Sequence, residues 1–299
     1  IIAQKTVPLG QTLLPFPQFG SITETESVGH SQYNAFDVKV QKRFSHGLTA
    51  LVAYTWSSNW DNLWGSPVAG LNTLNPNPTT AGPQDGYNPN AEYSRATNDI
   101  PNRFTAAVNY ELPIGRGKPL LGDANRFVDA VVGGWKLNDV TILENGGPLP
   151  IVQTNLSTGT YGTTGVAGAN QRPNLVPGAN PCYSGSPESR LGGTSGLRPY
   201  FNASAFSIAP QYTHGNAERT LNCYGPGFEN SDISINKSFK ATERANFEVR
   251  VEALNAFNTP EFGQPGLTIT TGASSASTGA VTSQLGFSRI IQIGGRLTF

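Results

Sequence analysis

The chain has 299 residues, with 20 Lys+Arg against 20 Asp+Glu, and charged residues make up only 13% of it. A neutral, charge-poor chain lacks the basic face that nucleic-acid binding requires, so no nucleic-acid partner is expected. With 37% hydrophobic and 10% aromatic residues, charge-driven disorder is excluded as well.

Taken in order, the chain shows a period of two rather than 3.6, the signature of strands with two unlike faces. In 33–44 (YNAFDVKVQKRF), Phe36, Val38 and Val40 oppose Asp37, Lys39, Gln41 and Arg43. In 48–57, Leu48, Ala50, Val52, Tyr54 and Trp56 alternate with Thr49, Leu51, Ala53, Thr55 and Ser57. Only Ser45, His46 and Gly47 lie between these runs, which predicts a tight hairpin. In 103–111, Phe104, Ala106, Val108 and Tyr110 oppose Arg103, Thr105, Ala107, Asn109 and Glu111.

The run 135–144 fits least well. Trp135 and Leu137 have one parity, Val140 and Ile142 the other, and a bulge near Asn138–Asp139 is expected to reconcile them. In 231–239, Ile233, Ile235 and Phe239 share a face that Lys237 interrupts; near a strand end its ammonium is expected to snorkel. In 246–256, Phe247, Val249, Val251 and Ala253 oppose Glu248, Arg250 and Glu252. In 287–299, Ile291, Ile293, Leu297 and Phe299 oppose Gln292, Gly294, Arg296 and Thr298.

These seven strands are joined by connections that alternate short and long, the long ones being 58–102, 145–230 and 258–286. Compact soluble domains favour connections of about 4–6 residues. Transmembrane β-barrels have this asymmetry, with short periplasmic turns and long outer loops, and strands of about 9–11 residues suffice to cross. No run of about 18 apolar residues offers a spanning helix. The pattern predicts an all-β, antiparallel, up-and-down transmembrane barrel with long extracellular loops. Its wet face carries Asp37, Lys39, Arg43, Arg103, Glu111, Glu248, Arg250, Glu252 and Arg296 as candidate lumen-facing residues. Phe44, Tyr54, Trp56, Tyr110, Trp135, Phe239, Phe247 and Phe299 lie near strand ends, where interfacial girdles form.

Cys182 and Cys223 both sit in Gly/Pro/Asn/Ser-rich sequence inside 145–230, a setting for one disulfide in an oxidising compartment; two unlinked thiols are the alternative. His30, His46 and His214 have no partner at ligand spacing, so no metal is expected. The absence of Met, even at position 1, and of a basic and then apolar leader is the pattern of a piece of a longer chain.

Several ordered segments are similar to the C-terminal barrel of Oar-like TonB-dependent receptors of the acidobacterial type. They include YNAFDVKVQKRFSHGL at 33–48, NDIPNRF at 98–104, YELPIGRGK at 110–118, GWKL at 134–137 and QRPNL at 171–175. The similarity continues through YFNASAF at 200–206, GPGFENSDIS at 225–234, VEALNAFNTPEFG at 251–263 and RIIQIGGRLTF at 289–299. The resemblance implies a location in the cell outer membrane. It also implies that residues 33–299 are the C-terminal portion of a barrel of about 22 strands, whose large lumen seven strands cannot enclose. Residues 1–32 are then the end of an upstream strand and loop. It further implies outer-membrane lipid and the barrel-assembly machinery as partners, Phe299 as the C-terminal assembly signal, and contact with TonB through an upstream plug absent from this chain.

Enzymatic chemistry is not expected. Gly115–Lys118 lacks the spacing of a phosphate loop, no Gly-x-Ser-x-Gly is present, and Arg250 stands between Glu248 and Glu252 on their face. The rival expectations are a secreted β-sandwich adhesin or carbohydrate-binding module, and an outer-membrane barrel enzyme, which needs a clustered site.

Overall fold

The computed structural model describes residues 12, 16–19, 27–62, 84–85, 87–154, 172–183, 199–210, 213–240, 245–270 and 278–299. Seven long strands form one sheet: β1 (Ser31–Ser45), β2 (Leu48–Asp61), β3 (Asn102–Glu111), β4 (Trp135–Glu144), β5 (Phe228–Lys240), β6 (Asn246–Leu254) and β7 (Ile290–Thr298). Each pairs antiparallel with its neighbours in chain order. All seven expected strands are present. The last begins at Ile290 rather than 287, and the sixth ends at Leu254 rather than 256.

The register carries the period of two across the whole sheet. Phe36 pairs with Trp56, Val40 with Val52, and Val52 with Ala106. Tyr110 pairs with Leu137, Leu137 with Ile235, and Ile235 with Val251, which pairs with Ile293. Paired residues point to one side of a sheet, so a single apolar face runs over all seven strands. Its large side chains are open to the surroundings: Phe36 and Val40 are each 60% exposed, Ile291 63% and Ile293 77%. Every buried apolar residue among those described lies outside the seven strands. A sandwich core would bury Val38, Val52, Val108 and Val249; none of them is buried.

The bulge expected at Asn138–Asp139 does not exist. β4 keeps an unbroken register with both β3 and β5 from end to end. Backbone pairing on both sides leaves no room for an extra residue, because a bulge would leave ladder groups unpaired. Val140 and Ile142 therefore join the polar face, and Asp139 and Thr141 join the apolar one. There Thr141 Oγ1 donates to Asp139 Oδ2 (3.0 Å) and lies 2.8 Å from Ser231 Oγ.

Short connections sit at one end of the sheet and long ones at the other. At the turn end, β1 and β2 join through His46 and Gly47, both at positive φ. A Cβ at Gly47 would lie 2.9 Å from the Glu111 carbonyl oxygen of β3, so the turn requires glycine. The β3–β4 connection carries a helix the sequence reading did not anticipate, α1 (Arg126–Val132), capped by Asn125, whose side chain accepts from Phe127 N and Val128 N.

At the loop end the three long connections fold together into a cap. Leu221–Tyr224 pairs antiparallel with Pro148–Leu149, Asn174–Leu175 with Phe206–Ser207, and Thr268–Ile269 runs parallel to Val152–Gln153. Leu149, Ile151, Tyr200, Phe201, Phe206, Leu221, Leu267 and Ile269 form its hydrophobic core, with Phe201 and Phe206 edge to face at 6.0 Å. Most of the upstream segment 1–32, Gln171 of the QRPNL motif, residues 241–244 between β5 and β6, and residues 271–277 of the 258–286 connection lie outside the described residues.

Candidate functional site

The polar face follows from the same register. Asp37 pairs with Thr55, Lys39 with Ala53, Arg103 with Thr55 and Glu144, and Glu111 with Lys136. Glu248 pairs with Arg296, Arg250 with Gly294, and Glu252 with Gln292. All of these sequence-selected residues share one side of the sheet. Arg43 lies where the β1–β2 register shifts, between Lys42 and Ser45, so pairing assigns it to neither face.

Charges on this face are largely matched. Arg103 Nε lies 3.3 Å from Glu144 Oε2, Lys136 Nζ 3.0 Å from Glu111 Oε1, and Arg250 Nε 3.2 Å from Glu252 Oε1. Thr55 Oγ1 donates to Asp37 (2.6 Å), and Asn138 Nδ2 donates to Ser234 and Asn236, each at 3.0 Å. The result is a hydrophilic wall of paired charges and amides.

Where this wall meets the cap lies a cleft of about 110 Å³, bordered by Glu144, Asn145, Phe228, Glu261 and Gln264. Among the described residues, no group of three or more His, Cys, Asp or Glu is placed to hold a metal ion.

The cap is held by buried polar groups that sequence reasoning missed. Arg219 donates from Nη2 to the Asp61 carboxylate and carbonyl, and from Nε to the Glu92 carbonyl at 2.9 Å. Arg172 Nη1 lies 3.2 Å from Glu92 Oε2, both side chains being almost wholly enclosed. Burial pulls the Arg172 guanidinium below its ordinary value, Glu92 opposes that, and Arg219 adds repulsion. Gln84 ties the strands of this knot together: its Oε1 accepts from Arg172 N and Gly215 N, and its Nε2 donates to Gly215 O.

Asp99 accepts from Asn59 N (2.7 Å), Arg95 Nη1 (3.3 Å) and Tyr224 Oη (2.9 Å). Burial first, and then the bond to Asp99, hold the Tyr224 hydroxyl protonated well above the usual tyrosine range. Its folded value is raised, so its stabilising contribution is full below the unfolded value of about 10 and is lost progressively as pH climbs from there through the folded one. At pH about 11, the native protein and its Tyr224→Phe variant are therefore expected to show the same tyrosinate absorbance. After unfolding, the two should differ by one tyrosine.

Cys182 and Cys223 form the expected disulfide, with a sequence separation of 41. Closing a loop of that size contributes roughly 4 kcal/mol in the chain-entropy account. The Cys182→Ser, Cys223→Ser double variant is expected to lose about 2–4 kcal/mol of cap stability. Faster amide exchange in 199–210 and 213–224, with strand exchange unchanged, is the reading that checks it.

The family described as "Outer membrane beta barrel domain" matches residues 2–292 of the chain. No curated protein and no solved structure gave a match.

Proposed function

The chain belongs to the outer membrane β-barrel domain family, and from that premise we propose that it is the C-terminal barrel portion of an Oar-like TonB-dependent receptor. The observation that carries the reading is the inverted sheet: large apolar side chains outward, matched charges on the other face, and the buried core confined to the loop-end cap. The apolar face meets outer-membrane lipid, and the polar face lines a wet lumen. The turn end faces the periplasm and the cap faces outward, where the disulfide persists.

β1 pairs only with β2 and β7 only with β6 among the described residues. Unpaired edges are costly in lipid, so further strands close the wall, in this reading to a lumen of about 22 strands. The cap and the cleft beneath it then meet substrate first. The wall residues bind and guide rather than catalyse, and TonB acts through a plug upstream. Phe299, 94% exposed at the end of β7, serves as the signal to the barrel-assembly machinery.

The test uses the intact gene product in outer membranes, its folding verified by heat-modifiable migration. The periplasmic domain of TonB is expected to crosslink to it, and deletion of the upstream plug to abolish the crosslink. A folded barrel that never crosslinks would remove the receptor reading and leave a barrel of another kind.

A further inference from the structure

The β3–β4 connection is far more apolar on its surface than a periplasmic turn needs to be. Leu120 and Leu121 are 55% and 56% exposed, Phe127 87%, Val128 41% and Val131 69%. Phe127, Val128 and Val131 fall at i, i+1 and i+4, which puts them on one side of α1. Leu121 presents its side chain from a backbone at φ 59°, a conformation uncommon for a bulky residue.

The connection is also built rather than loose, and it is fastened to the apolar face. Lys237 belongs to that face by its pairing with Trp135 and Val249. Instead of reaching water it is buried, and its Nζ donates to Asp129 O (3.2 Å) and Ala130 O (2.6 Å) of α1 while lying over the Trp135 and Phe239 rings. Trp135 Nε1 donates to Val131 O (2.8 Å). A cation at the last carbonyls also suits the helix dipole. Asp129 Oδ1 accepts from Arg116 N (2.6 Å), clamping the 115–118 turn to the helix. That turn admits no side chain at Gly115, where a Cβ would come within 2.7 Å of both Gly133 Cα and Asp129 Oδ1.

α1 thus continues the apolar face beyond the strand ends, tied to Trp135 directly and to Phe239 through Lys237. We propose that this connection is an interfacial anchor: it sinks Phe127, Val128 and Val131 into the headgroup–acyl boundary of the inner phospholipid leaflet. Short amphipathic segments bind membranes by such apolar insertion, and an exposed apolar patch continuous with a lipid-facing wall has lipid as its natural cover. Arg116 and Arg126, both exposed, stand ready for anionic headgroups. The inference rests on the reading that the apolar face meets lipid and the turn end faces the periplasm.

Both cysteines of these 299 residues are in the disulfide; with any cysteine of the upstream chain replaced by serine, a single added thiol can be labelled. The intact protein carrying Phe127→Cys, Val131→Cys, Asp123→Cys or Val52→Cys is labelled with an environment-sensitive dye. Each is reconstituted in vesicles of phosphatidylethanolamine and phosphatidylglycerol with spin label near the headgroup or deep in the chains. The expected result is a blue shift and strong shallow-label quenching at 127 and 131, deep-label quenching at 52, and neither at Asp123. Quenching at 52 with none at 127 and 131 overturns the anchor and leaves the barrel reading standing. No quenching at 52 overturns both. Concentration-dependent protection of the dye at 127 without lipid would show a second copy covering the helix, and likewise overturns the anchor.

Discussion

Arginine in place of Val52 is expected to cost the folded protein about 2–4 kcal/mol, the range for a cation near the midplane of a barrel's lipid face. Val52 sits mid-strand between Val40 of β1 and Ala106 of β3 on the continuous apolar face. An arginine there has Val40 and Ala106 directly opposite it, no anion by register, and a long path to either interface. The neighbouring substitution Ala53→Arg is the control. Ala53 is one residue away, but it faces the other side, opposite Lys39 and Thr105, and its cost is expected to stay below about 1 kcal/mol because water solvates that face. Urea unfolding of the intact protein from lipid vesicles measures both. Equal costs at the two positions would contradict a sheet with one lipid face and one wet face.

Replacing Arg219 with alanine is the most damaging single change expected in the cap. It removes an ion-pair partner of the buried Asp61 carboxylate and strips donors from the Asp61 and Glu92 carbonyls. Breaking a buried pair by deleting one member typically costs about 3–5 kcal/mol, since the remaining charge stays desolvated. That penalty falls on the cap alone, so limited proteolysis should cut within 199–224 while the barrel keeps its heat-modifiable migration. Pairing Arg219→Met with Asp61→Leu is expected to recover much of the loss, because two apolar side chains leave no orphaned charge. Failure of the double change to improve on Arg219→Ala would assign Arg219 a role beyond neutralising Asp61.

The strands were legible because their information is local. A residue's parity in YNAFDVKV or NFEVRVEA states which side it faces, and antiparallel pairing of chain neighbours carries that parity to the next strand without further instruction. That is why eight of the nine lumen candidates fall together on one face. The parity argument failed at β4, where two misfit residues suggested a bulge. The ladder on both sides overrode it and left Asp139 and Thr141 on the apolar face, with Ser231 to satisfy Thr141. α1 was missed although Asn125 before RFVDAVV is a readable cap, because seven residues are too few for a convincing 3.6 period.

By itself, then, the sequence determined an antiparallel meander with two unlike faces and the place of its turns. Only the tertiary structure decided that Gly- and Asn-rich connections form a packed cap, that Arg172 pairs with Glu92 and Arg219 with Asp61, and that Lys237 fastens α1 to the apolar face. The physical reason is separation. Strand faces are set by residues two apart, whereas Asp61 and Arg219 are 158 residues apart. No periodicity announces a contact that forms only once the sheet has brought three loops to the same end.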